Sequence, residues 1–407
     1  MSGATESVLP AATTGRRIAE IDILRGFALF GILITDVTVA TVLWSFDGTE
    51  DDLRQHFLGT VDLIVTGLAD ALFSGRFYLL FAFLFGYSFT LQIAAARRAG
   101  ASANARLLRR CAALMAIGLA HVLLLWIGDI LTLYALLCLI LITLRKLRPR
   151  TALITGAVLY ALWSLLAFVP GPSDDMYQEL GRFIDLPALH AGYTGNFADT
   201  LAVQLSVAPG FLLLTWVGQG MTSLGLFSIG MAAGKRGLFE DGATLDRWAP
   251  RALVIGLALG LPVSAVTFAS AVGLLHAPWW WMGVQELVNP VMTFAYIGGV
   301  VLLARAPRTA RAIGRLAPAG RMAASNYIGQ SIVLMVLYTG YGFALADGVP
   351  PAGVVGLALL TYAAQLALSA WWLRDHRYGP VEWVLRAVTY LRVPPWRNAD
   401  HVPTKVG

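Results

Sequence analysis

The chain has 407 residues, of which 57% are hydrophobic and only 13% are charged, with a mean hydropathy of +0.67. Soluble domains carry about a quarter charged residues, so this composition excludes a disordered, a collagen-like and an ordinary soluble multidomain protein. The net charge of +6 is no argument for a nucleic-acid partner, and none is expected, because membrane proteins gather Lys and Arg in cytoplasmic loops.

A bilayer core needs about 20 apolar residues per helix. Residues 1–20 hold no apolar stretch of the signal-peptide kind and read as a short cytoplasmic segment. Ten candidate spans follow, at roughly 21–43, 77–96, 107–127, 130–145, 151–169, 207–233, 252–275, 284–304, 322–346 and 353–373. With the N-terminus inside, 26 of the 30 Lys and Arg fall on the cytoplasmic side and three (Arg54, Arg76 and Arg182) outside. That split supports an N-in, C-in chain with ten crossings. The stretch 57–75 is apolar but interrupted by Asp62 and Asp70, and reads as a helix on or dipping into the outer interface. The expected fold class is therefore all-α and polytopic. One transmembrane domain covers 21–391, with 170–206 as its largest outer loop and 392–407 as a loose cytoplasmic tail. The lipid bilayer is the first expected partner.

Ionisable side chains in a membrane helix are costly and usually face a cavity or a partner. In the first span Asp22 and Arg25 stand three apart and can pair. Asp36 lies three turns beyond Arg25 on nearly the same face, with no partner on its own helix. His121 in the third span and Asp129 just after it form the next pair of interest. One reading is a packed histidine bonded to a carbonyl; the other is an imidazole held and charge-stabilised by a carboxylate. Arg76, alone on the outer side, suits a salt bridge with Asp70 or Asp129, or a ligand carboxylate or phosphate. In the ninth span Asn326 and Gln330 share a face, as do Arg321 and Ser325. Interhelical bonding is the plain reading of both pairs. Asn289-Pro290 marks an expected kink. The amphipathic stretch 377–390 reads as a membrane-surface helix with a Glu382–Arg386 pair. Cys111 and Cys138 sit in apolar runs and offer no disulfide framework and no metal-ligand spacing. No phosphate loop, HExxH, CxxC or GxSxG triad spacing is present.

Five blocks, IDILRGFALFGIL at 21–33, FSGRFYLLFAFLFGYSF at 73–89, GLAHVLLLWIGDIL at 118–131, GRMAASNYIGQS at 320–331 and RYGPVEWVLRAVTY at 377–390, make the chain resemble the YeiB-like family of bacterial multipass proteins, catalogued as domain of unknown function 418. That family is grouped with transmembrane acyltransferases, including polysaccharide O-acyltransferases and the lysosomal heparan-glucosaminide N-acetyltransferase. The resemblance implies acyl transfer from a cytosolic thioester such as acetyl-CoA to an acceptor on the far side of a bacterial inner membrane. The O-acyltransferase relatives place a histidine fourteen residues after the aspartate of the DxLRG block. Here that position is Asp36, so the histidine's role does not carry over to it. His121, in the HxxxxWxGD block, takes its place in this reading.

The expected enzyme is thus a membrane acyltransferase. His121, Asp129 and Asp36 are the catalytic candidates. Asp22, Arg25, Arg76, Asn326 and Gln330 are the substrate-binding candidates. Acyl-CoA is the co-substrate, with no tightly bound cofactor and no metal. The acceptor is a hydroxyl or amine on a glycan, a lipid-linked sugar or a small metabolite. The rival reading is a proton-coupled transporter or flippase, in which Arg25, Asp36 and His121 relay protons.

Overall fold

The computed structural model describes residues 18–44, 59–169, 184–346 and 348–398. The N-terminal segment before residue 18, residues 45–58 with Arg54, the 170–183 stretch with Arg182, residue 347 and the tail beyond 398 lie outside the described residues. Helices account for nearly all of the rest, and among the described residues there is no strand, only an isolated bridge between His376 and Arg397.

In chain order the helices are α1 (Ala19–Trp44), α2 (Thr60–Leu72), α3 (Phe77–Arg98), α4 (Ala103–Leu124), α5 (Leu131–Leu144), α6 (Pro149–Leu166) and α7 (Leu186–Thr194). There follow α8 (Phe197–Lys235), α9 (Gly242–Ala271), α10 (Trp281–Arg305), α11 (Ala310–Gly314), α12 (Ala317–Arg321), α13 (Ala323–Tyr338), α14 (Pro351–Asp375) and α15 (Pro380–Tyr390). Eight stretches are long and apolar enough to cross a membrane. They hold α1, α2 with α3 in one continuous stretch, α4, α6, α8, α9, α10 and α14. The chain is an all-α polytopic membrane protein.

The two remaining expected spans are short. Helix α5 has 14 residues and α13 has 16, about 21 and 24 Å at 1.5 Å per residue. A bilayer core is about 30 Å thick, so neither helix is long enough to cross it alone. The expected span 322–346 is corrected accordingly, because its helix stops at Tyr338 and irregular backbone follows. Irregular backbone at membrane depth is tolerated only where protein surrounds it and satisfies its polar groups. The turn before α5 meets that condition, with Trp126, Ile127 and Asp129 buried; residues 341–344 after α13 are exposed instead.

Other boundaries shift for local reasons. Helix α8 starts ten residues before the expected 207, so 170–206 is not one long loop. Asn196 and Asp199 form a reciprocal capping box there, which satisfies the free N–H groups of the first turn. Helix α2 has 13 residues, too few to span. Its Gly67 faces Phe268 and Val272 of α9, and the Ala352 N–H at the start of α14 donates to Asp62 at 2.9 Å. It therefore lies against the outer ends of its neighbours. Helix α10 runs through Pro290. Proline leaves the carbonyl four residues earlier without its helical donor, and the Tyr160 hydroxyl takes that place on Glu286 at 2.7 Å.

The described part of the tail is not loose. Trp396 packs edge-on against Trp372 and Trp383, and the Asn398 N–H donates to the Asp375 carbonyl at 2.9 Å.

Candidate functional site

The site is built on the non-helical turn 125–130 between α4 and α5. Its backbone folds back on α4, where the N–H groups of Leu125 and Trp126 both donate to the His121 carbonyl, at 2.8 and 3.2 Å. Trp126, Ile127 and Asp129 are buried. Asp129 is spent twice. One carboxylate oxygen accepts from the Thr132 N–H at 2.6 Å, capping the free first turn of α5. The other stands 2.9 Å from His121 Nδ1. Gly118, one turn before His121, leaves the room: a Cβ there would meet the Thr132 nitrogen at 2.7 Å and Asp129 at 3.0 Å.

The second ring nitrogen of His121 lies 2.7 Å from the Ser331 hydroxyl of α13. His121, Asp129 and Ser331 are 2%, 0% and 1% exposed, so this is a fully enclosed row of three. Tyr327, one turn before Ser331, packs its ring 5.0 Å from the imidazole. Its hydroxyl donates to the Gly128 carbonyl at 3.0 Å and accepts from the Ile130 N–H at 3.3 Å. One tyrosine thus ties α13 to the turn.

Two chambers approach this turn from opposite ends. The larger, about 430 Å³, opens toward the end that carries the basic loops and α15. Arg25, Arg110, Arg321 and Arg386 line it, with Phe81, Phe85 and Leu131 in its depth and Tyr327 and Ile130 at its end. The charge bias assigns this face to the cytoplasm. Arg25 donates to Ser88 at 2.5 Å and to Asp22 at 3.4 Å. Arg386 is held between the rings of Tyr378 and Tyr390, 4.9 and 4.8 Å from their centroids. The smaller chamber, about 310 Å³, is lined by Asp36, Trp126, Gly128, Ile130 and the outer half of α8. Phe73 and Phe77 form another wall, stacked at 5.3 Å. Ile130 borders both chambers. The turn 125–130 therefore lies between them, and His121, whose carbonyl accepts from that turn, lines neither chamber.

The expected residues fall into three groups. His121 and Asp129 come together, enclosed and lining neither chamber. Asp36 and Arg25 line different chambers. Asp22, Arg76, Asn326 and Gln330 line neither chamber. Asn326 donates to the Ala319 carbonyl and Ser369, and Gln330 donates to the Leu29 carbonyl and Gln365; both tie helices together. Arg76 is corrected most. It is 1% exposed and donates to the Ala71 carbonyl and, at 3.1 Å, to Ser264. It makes no salt bridge with Asp70 or Asp129, because the latter is committed to His121 and the arginine is turned into the α2–α3 corner. The expected Glu382–Arg386 pair does not form either. The Glu382 carboxylate instead accepts from the Ala324 N–H, the Ser325 N–H and the Ser325 hydroxyl, at 2.6, 3.1 and 2.6 Å. It supplies the cap that α13 lacks on its own strand of chain.

Ser331, Tyr327 and Glu382 were not singled out by the sequence as site residues. A serine in an apolar helix ordinarily bonds its own preceding turn, so it gives no signal alone. The signal was the spacing: Tyr327 and Ser331 are four apart and share a face beside that of Asn326 and Gln330.

Residues 233–392 match the family described as "Protein of unknown function (DUF418)". That stretch supplies Tyr327, Ser331 and Glu382, while Asp36, His121 and Asp129 precede it. Over nearly its whole length the chain is similar to the uncharacterized protein YxaH of Bacillus subtilis (strain 168), 29% identical across 96% of this chain and 98% of that one. It is similar also to the uncharacterized protein YeiB of Escherichia coli (strain K12), 25% identical across 93% and 98%. An uncharacterized 39.9 kDa protein from the amylase 3' region of Bacillus acidopullulyticus is 28% identical across 93% and 95%. The matched stretch and these relatives together support a likeness to the YeiB-like DUF418 family.

Proposed function

We propose that this protein is a membrane acyltransferase. It moves an acyl group, in the first instance acetyl, from a cytosolic acyl-CoA to a hydroxyl or amine acceptor from the other side. The observation that supports the reading is the pair of chambers that both border Ile130, in the turn that carries Asp129 of the enclosed His121–Asp129 pair.

The basic chamber suits the donor. Four arginines around its walls match a ligand carrying several phosphates, and its apolar depth matches a pantetheine arm and a short acyl chain. Its volume lies in the range of small-ligand sites. The outer chamber suits the head of an acceptor, a glycan, a lipid-linked sugar or a small metabolite. It offers aromatic walls and the carboxylate of Asp36. His121 takes the proton that the acceptor's hydroxyl or amine must lose, and Asp129 stabilises the imidazolium that results. We infer a bacterial cell (inner) membrane as the location, with the basic face in the cytoplasm.

The test is release of CoA and transfer of label when membranes holding the protein are incubated with labelled acetyl-CoA. Losing a general base costs about 10²–10⁴-fold in rate, and His121→Ala is expected to lose at least the lower figure with normal expression. An active His121→Ala protein would remove the residue from the mechanism. Proton-coupled uptake of a solute with no acyl turnover would replace the enzyme by a transporter.

A further inference from the structure

In this structure both ring nitrogens of His121 are already engaged. Nδ1 faces Asp129 at 2.9 Å and Nε2 faces Ser331 at 2.7 Å. An ionised carboxylate only accepts, so Nδ1 carries the proton in that contact, and in the neutral ring Nε2 presents its lone pair. The Ser331 hydroxyl is therefore the donor to Nε2. Its other acceptor, the Tyr327 carbonyl, is 3.4 Å away, near the limit at which such a bond counts. A hydroxyl whose proton points at an imidazole backed by a carboxylate is a polarised nucleophile. The three groups come from α4, the turn after it and α13, so no short sequence motif announces them.

We propose that Ser331 is the acyl carrier of this protein. The inference rests on the acyl-transfer reading above and adds a covalent intermediate to it. In the first half-reaction the Ser331 oxygen attacks the thioester carbonyl of the donor while His121 Nε2 takes the hydroxyl proton. The C–S bond then breaks, and the thiolate leaves with the proton returned from His121. The acyl group is now an oxygen ester on Ser331. In the second half-reaction the acceptor's hydroxyl or amine attacks that ester, giving its proton to Nε2. The C–O bond to Ser331 breaks, and the serine oxygen recovers the proton. No oxidant, metal or further reactant enters.

The position of Ser331 suits a carrier between two chambers. Tyr327, one turn away on the same face, closes the end of the donor chamber, and its hydroxyl holds the 125–130 turn at Gly128 and Ile130. Ser331 itself lines neither chamber, so acylation requires the Tyr327 ring to turn off its two bonds and open a path to it from the donor side. A histidine acting directly on the acceptor would first have to give up Ser331.

The test uses the purified full-length protein in detergent with labelled acetyl-CoA and no acceptor, quenched in acid. Wild type is expected to release CoA and carry label on the peptide containing Ser331. That bond, an oxygen ester, resists neutral hydroxylamine and yields to alkaline hydroxylamine. Ser331→Ala, which elutes as wild type does, is expected to lose both label and CoA release by about 100-fold or more. Ser331→Cys is expected to carry label as a thioester that neutral hydroxylamine removes. This change in lability is one that a merely structural serine would not produce. If Ser331→Ala still turns over, or if turnover vanishes without any trapped ester in wild type or Ser331→Cys, the carrier is overturned and acyl transfer stands as a direct reaction. If wild type releases no CoA and takes no label, the carrier falls together with the acyl-transfer reading.

Discussion

A single carboxylate, Glu382, decides how the cytoplasmic helix α15 is fastened to the site. It lies outside the spans, on a helix along the basic face, and its oxygens turn inward onto the first turn of α13. Burial pushes its carboxyl above the ordinary range, and the three donors from Ala324 and Ser325 only partly pull it back. The folded protein therefore keeps the proton at pH values where the unfolded chain has lost it. Between the two titrations the folded state binds more protons, so stability falls as pH rises. The contribution is whole below the unfolded value and gone above the folded one. Glu382→Gln keeps an acceptor for the backbone and cannot titrate. It is expected to flatten the fall in melting temperature between mildly acidic and neutral pH, measured in detergent beside wild type. An unchanged slope would assign the pH dependence to another group.

At the scale of elements, close crossings and broken helices do different work. Helices α3 and α8 meet at bare backbone: a Cβ on Gly230 would run into the Phe83 carbonyl, and one on Gly86 into the Phe227 carbonyl. Small residues at such crossings let membrane helices pack without a hydrophobic driving force. Gly230→Val is expected to cost about 1–3 kcal/mol by overpacking, seen as a lower melting temperature and a lower yield. Gly356→Ala in α14, where nothing lies within 4 Å, is the control. It should be neutral or gain up to about 1 kcal/mol, because alanine favours the helix. Equal effects at the two positions would mean that the crossing is not tight. The long spans were legible in the sequence because twenty apolar residues in a row have few other uses. The broken ones were less so. Helix α5 carries no charged residue, yet it begins inside the bundle because Asp129 caps it there, and that role depends on His121 and Thr132 meeting in space. The His121–Asp129 pair was visible as a candidate from spacing alone. Ser331 was not, since its partner lies 210 residues away, and no periodicity reports a contact at that range. Arg76 misled for the opposite reason: a lone outer arginine looks like a ligand site until its carbonyl and hydroxyl partners are known.

For the molecule as a whole, the asymmetry of charge predicts the side from which chemistry begins. The basic loops and the arginine-lined chamber share one face, and the chamber with Asp36 opens on the other. Acyl-CoA does not cross a bilayer unaided, so a sealed vesicle reports which face the donor uses. Inverted vesicles, with the basic face outward, are expected to release CoA from donor added outside. Right-side-out vesicles are expected to do so only after permeabilisation. A paired measurement fixes the orientation independently of activity. With Cys111 and Cys138 replaced by alanine, a cysteine at Leu274, 77% exposed in the turn after α9, should react with an impermeant maleimide from outside intact cells. One at Arg150, at the start of α6, should react only from inside. If the cysteines label as expected and donor is consumed equally from both faces, the basic chamber is not the donor seat and the two-chamber assignment fails. If the labelling itself is reversed, the charge rule has misoriented the chain and the donor experiment must be read from the opposite side. Agreement of both would tie the electrostatic frame of the bundle to the direction of acyl flow.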